Sequence, residues 1–124
     1  MKTIVFEQAQ AQTGLSAANL EQFLISYVLK SAHHAYEENA GESYLWQLAG
    51  NSNIERRLLL NYDANRSEFT VSFEIAYQLF EGDTHFFVKK VGTLSPAEIG
   101  NCLPGIVTKA LEQVNSWKPS YELF

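Results

Sequence analysis

Two basic pairs, Arg56-Arg57 and Lys89-Lys90, lie inside β-prone stretches of a chain that is otherwise acidic. Successive side chains of a strand point to opposite faces, so each pair must send one cation to each side of its sheet. A cation on a covered face needs a counter-charge, because burying an unpaired charge is costly. Pairing the flanking strands symmetrically about Ala64-Asn65 sets Leu58 against Val71 and Arg56 against Phe73. A two-residue turn at Gly82-Asp83 sets Tyr77 against Val88 and Ile75 against Lys90. In these registers Arg56 and Lys90 both point to the covered face, one on each side of the intervening strand and about 10 Å apart. A small-molecule or anion site between sheet and helices, with an anion held by Arg56 and Lys90, is the sharpest ligand site expected. The competing expectations are that both stems run to the sheet margin and their head groups reach water, that a β-bulge turns either one outward, or that a carboxylate such as Glu21 neutralises them.

The same registers turn Phe80, Phe87 and Val91 toward the other face, beside Ala76, His85 and Lys89. Large aromatic side chains on an uncovered sheet face mark a partner surface. Phe80, Phe87, Val91 and Lys89 are therefore the expected protein-binding residues, unless Tyr121 and Phe124 fold back over them.

Other reactive types carry less. On a helix, His33 stands over Glu37 and His34 over Glu38, a spacing at which a histidine and a carboxylate can share a metal. Adjacent histidines point about 100° apart and no third ligand is in view, so no metal is expected. Cys102 would need a base such as His85 and an orienting group to act as a nucleophile; as a free thiol it reads as a small buried hydrophobe. The chain has no glycine-rich phosphate loop, no GxSxG, HExxH or CxxC motif and no calcium-loop pattern. No catalytic residue and no cofactor is expected.

The elements that must position these residues are well punctuated. Ser16 is a good helix N-cap, flanked by Leu15 and Leu20 at the staple positions. Leu20, Phe23, Leu24, Tyr27 and Val28 then recur at helical spacing, and the helix is expected to run to about Tyr36–Asn39, with Gly41 stopping it. Four strands follow, over 42–49, 54–62, 67–80 and 84–93, after a short β-prone piece at 3–6. The third is the clearest. Phe69, Val71, Phe73, Ile75, Tyr77 and Leu79 alternate with Glu68, Thr70, Ser72, Glu74, Ala76 and Gln78, the pattern of a strand with one dry and one wet face. Leu94-Ser95-Pro96-Ala97-Glu98-Ile99 combines a capping box, a proline at the first helical position and a hydrophobic staple. It opens a last helix, which Pro104 is expected to kink or split.

These elements predict a single α+β domain over residues 1–124. It is a two-layer sandwich in which a four-stranded antiparallel meander carries the N- and C-terminal amphipathic helices on one face. At 124 residues the chain is long enough to bury a core without staples, and its one cysteine allows no internal disulfide. The first residues lack the apolar run of a signal peptide, and a cytoplasmic location is expected. The net charge of −5 is spread over both halves. Such a field repels phosphate backbones and anionic lipid, so neither nucleic acid nor membrane is an expected partner. The expected function is non-catalytic binding of another protein, a basic one by complementarity of charge, or of a second copy as a homodimer; the alternative expectation is a small-molecule or anion-binding domain, conceivably an enzyme, with its pocket between sheet and helices. Small acidic α+β domains serve in this way as inhibitors, immunity proteins and secretion chaperones, an analogy at the level of fold and composition.

Overall fold

Hydrophobic alternation and turn chemistry together build the sheet. The computed structural model describes residues 2–5, 17–39, 41–51, 54–78 and 82–117. In chain order they form β1 (Lys2–Val5), α1 (Ala17–Glu38), β2 (Glu42–Asn51), β3 (Ile54–Asp63), β4 (Glu68–Gln78), β5 (Thr84–Leu94), a 3₁₀ turn (Pro96–Glu98) and α2 (Ile99–Ser116). β2 to β5 are the antiparallel meander, and the sheet is open with strand order β1-β2-β3-β4-β5. The β-prone piece near the N-terminus adds a fifth strand, β1, parallel to β2. A parallel neighbour requires a crossover, and α1 is that crossover.

The alternating residues of β4 fix the layers. Phe69, Val71, Phe73 and Ile75 are fully buried or nearly so, and they join Leu58, Leu60 and Tyr62 of β3 and Tyr44 and Trp46 of β2 in one core. Leu24, Val28, Ala32 and Ala35 of α1 and Leu103, Val107, Ala110 and Val114 of α2 close that core from the same side. Small residues at 32, 35 and 110 leave room for the large rings of the strands, which stack as Tyr62 on Phe69 with centroids 4.4 Å apart. Such burial of aromatic area supplies much of the stabilisation of a domain this size.

The turns depart from the sequence expectations in instructive ways. α1 ends at Glu38, inside the expected Tyr36–Asn39, but it is Asn39 that turns the chain: it takes the left-handed conformation (φ 48°) and donates its N–H to the Tyr36 carbonyl at 3.1 Å. Ser16, Leu15 and the expected cap lie outside the described residues. Between β3 and β4 the four-residue turn falls at 64–67, one residue later than the expected 63–66. Asp63 Oδ1 accepts from the N–H groups of Asn65 (3.0 Å) and Arg66 (3.3 Å), and Ser67 is left-handed at φ 50°. Arg56 therefore pairs with Ile75 in place of Phe73. A shift of two residues keeps every side chain on its expected face.

The β4–β5 register differs by an odd number, and that exchanges faces. Tyr77 pairs with His85, Ile75 with Phe87, Phe73 with Lys89 and Ser72 with Lys90. Beyond Val71 the ladder resumes as Val71 with Gly92, which leaves Val91 as the extra residue of a β-bulge. The register is anchored from the far end of the strand. Leu94 is buried opposite Phe69, and a Cβ at Gly92 would stand 3.3 Å from Ile106 of α2. An unbroken strand with Leu94 inward would also turn Lys90 and Val88 inward; the bulge reverses the alternation and turns them out.

α2 begins as its sequence signal predicts, with Ser95 N–H donating to Glu98 Oε1 at 2.9 Å in a capping box. It runs as one helix through Pro104, so the helix is not split there. The carbonyl that loses its helical donor to this proline is that of Gly100, on an exposed residue where water can serve. The irregularity falls earlier, in the 3₁₀ turn at Pro96–Glu98. Among the described residues, no helix is long and apolar enough to cross a membrane.

Candidate functional site

Arg56 lies on the helix-covered face, half-buried, and its Nε–H donates to the carbonyl of Val114 at 2.9 Å. That carbonyl is in the last turn of α2, where helical acceptors lack intrahelical donors and the dipole favours a cation. Its role in the structure is to tie β3 to the C-terminal end of α2. Lys90 is exposed on the opposite face, across from Ser72. The anion site expected between Arg56 and Lys90 is therefore not assembled. The bulge at Val91 is the reason, because it inverts the facing of residues 84–90. Among the described residues neither cation has a carboxylate within salt-bridge distance.

The basic residue that does find charged partners is Arg57. On the helix-free face its NH1 donates to Glu74 Oε1 at 2.6 Å and its NH2 to Glu55 Oε2 at 2.5 Å. Arg57 and Glu74 are only 20% and 22% exposed as side chains. A guanidinium shared by two carboxylates across adjacent strands is a fixed net-negative spot in the middle of this face.

The expected partner residues are redistributed by the same register. Phe87 and Lys89 lie on the covered face, not the free one. Phe87 stands at its margin, 38% exposed, with its ring 6.0 Å from Phe73 and 5.8 Å from Trp117. Val91 is half-buried at the bulge and packs against the core. Phe80 lies outside the described residues. The side chains that take their place on the free face are Phe86, opposite Ala76 and 63% exposed, and Val88, opposite Glu74 and 58% exposed. Leu59 and Leu45 continue the apolar component on β3 and β2, half-buried. The strand pattern alone could not select Phe86 over Phe87. A bulge is among the expectations for the basic residues, but no residue between Lys90 and Gly92 is diagnostic of its place.

The remaining candidates sit apart. His33 and His34 are both exposed near the C-terminal end of α1, and no cluster of three metal-ligating side chains occurs among the described residues. Cys102 is half-buried in the first turn of α2, its thiol 3.8 Å from Glu98 Oε2. His85 stacks on Tyr77 at 5.7 Å, at the other end of β5 from the turn that holds Cys102. Cys102 is thus not brought together with the base expected for it, His85. Glu98 has its pKa lowered, chiefly by the Ser95 N–H and then by the Ser95 hydroxyl; desolvation opposes them, and the Cys102 thiol adds a lesser lowering. The cause is capping, not catalysis.

Among the described residues these features define an α+β sandwich with both helices on one sheet face, whose other face carries a central ion cluster bordered by exposed apolar residues; Tyr121 and Phe124, the residues expected as its possible cover, lie outside the described residues. No protein-family model matches the chain, and comparison with curated proteins and with solved structures found no significant match.

Proposed function

We propose that this protein is a non-catalytic binding module for another protein, of the kind that serves as an inhibitor, an immunity protein or a secretion chaperone, and that it works in the reducing environment of the cytoplasm. The observation that carries this reading is the free sheet face. Phe86 and Val88 are the two most exposed large apolar side chains among the described residues, and they flank a face that already holds a fixed ion cluster. Apolar anchors around an oriented charge are the composition of a recognition surface: the rings supply burial and the charges supply register. The overall acidity favours a partner with a basic complement to Glu55 and Glu74.

The test is capture from the native host with the intact chain as bait and Leu59→Glu as control. Leu59 lies on the free face two strands from β5, so the substitution alters the surface without touching the sheet edge. A protein retained in stoichiometric amount by the parent and lost with Leu59→Glu is the expected result, with circular dichroism unchanged. Equal recovery by both baits, or recovery of nothing, refutes the reading.

A further inference from the structure

An edge strand offers a row of free N–H and C=O groups to any extended chain, and proteins ordinarily blunt such edges. β5 ends the strand order of the sheet, is 11 residues long, and is exposed at every residue from Thr84 to Lys90. Its blunting devices, Lys89, Lys90 and the bulge at Val91, are all at one end. The other end is preceded by Gly82 and Asp83, both exposed. The edge is thus apolar in the middle, basic at one end and acidic at the other. That is the arrangement an antiparallel copy of itself complements.

We propose that β5 pairs with β5 of a second copy of this chain, antiparallel about a two-fold axis at Phe86, giving a continuous ten-stranded sheet. The inference rests on the reading of this protein as a protein-binding module and names one occupant of its edge. An axis perpendicular to the sheet keeps each side chain on the same face in both copies, so only registers centred on a residue are allowed. Centred on Phe86, the pairing sets Phe86 against itself and Val88 against Thr84 on the free face. On the covered face it sets Phe87 against His85 and Lys89 against Asp83. Every unlike pair occurs twice. The half-exposed margin formed by Phe87, His85 and Trp117 then continues into its counterpart, and both lysine ends find a carboxylate. Centring on Phe87 sets Lys89 against His85, and centring on Val88 sets it against Phe87; both registers lose the two ion pairs. Cross-strand opposite charges and aromatic pairs are the contacts that select register in an antiparallel ladder.

The experiment uses the full chain and two readouts. Light scattering or sedimentation across a wide concentration range is expected to show twice the chain mass. Asp83→Lys and Lys89→Asp should each weaken the dimer by about tenfold or more, since each turns two attractive pairs repulsive. The combined Asp83→Lys/Lys89→Asp variant should restore it. Both positions are exposed, so folding is unaffected. In a Cys102→Ser background, Phe86→Cys should form a disulfide-linked dimer on mild oxidation and Val88→Cys should not, because only residue 86 faces itself. A monomer at every concentration overturns the proposal. So does a dimer indifferent to Asp83→Lys, failure of the charge swap to rescue, or equal cross-linking through residues 86 and 88. A monomer that still captures another protein retires self-pairing alone, whereas a dimer that captures nothing retires the wider binding reading and leaves self-pairing standing.

Discussion

Replacing Arg56 by methionine separates the cap seen in the structure from the anion site that the sequence suggested. Methionine keeps the apolar stem against the sheet and removes the guanidinium, so the change isolates the hydrogen bond from Arg56 Nε to the Val114 carbonyl. A charged donor on a neutral acceptor contributes about 1.5–3 kcal/mol when well enclosed. Arg56 is half-buried, so water partly replaces the bond and about 1 kcal/mol remains. A cation at a helix C-terminus adds roughly 0.3–1 kcal/mol. The expected loss is about 1–2 kcal/mol, or a fall in Tm of about 4–8 °C for a domain of this size. Urea unfolding followed by circular dichroism reads it directly, with the slope unchanged because no extra surface is exposed at the start. Inorganic phosphate should raise Tm equally in the parent and in Arg56→Met. Stability of Arg56→Met within about 0.3 kcal/mol of the parent would show that the bond to α2 carries nothing. Stabilisation by phosphate of the parent alone would restore an anion to this site.

Two further outcomes test the anchoring of α2. The folded state holds the Glu98 pKa below its ordinary value of 4.5, so its contribution to stability is full above that value and is lost as pH falls through the lowered pKa. The stability difference between the parent and Glu98→Gln should therefore be constant at neutral pH and shrink on acidification below about 4.5; a difference that grows on acidification contradicts the capping assignment. At Gly92 a Cβ would meet Ile106 at 3.3 Å, so Gly92→Val should cost about 1–3 kcal/mol in denaturant unfolding through overpacking. A neutral result would mean that α2 does not sit against β5 at that point.

The layers of this fold were legible because they rest on periodicity. The alternation from Phe69 through Ile75 declares one dry face, and the dry residues of β4 are buried as it requires. The Ser95–Glu98 signal is equally local, and the cap forms where the residues put it. The two-helix, antiparallel arrangement follows from such local statements. The pairing of the strands does not. The β3–β4 register turned on whether Asp63 would bond its own turn and Ser67 adopt a positive φ, a choice among turn types that Ala64-Asn65 does not decide. The β4–β5 register turned on Val91, which looks like any other strand valine and becomes a bulge because Gly92 and Leu94 must meet α2 and the core. Arg56 fell on its expected face, since an even shift is harmless; Lys90, Phe87 and Lys89 did not, since β5 slipped by an odd number. The ion cluster of Arg57 was hidden for a related reason: it joins residues 55, 57 and 74, which only the correct register brings together.

The extra residue at position 91 divides its strand into a moored half and a displayed half. Gly92 to Leu94 are held by what the second helix and the core demand, while the seven residues before the bulge meet the interior only along one margin. Side chains in the displayed half can therefore be exchanged, or the half lengthened by whole pairs, without loosening the mooring. Loss of the single residue at 91 would act differently: it would leave the composition of the strand almost intact and turn its presented set of side chains inside out.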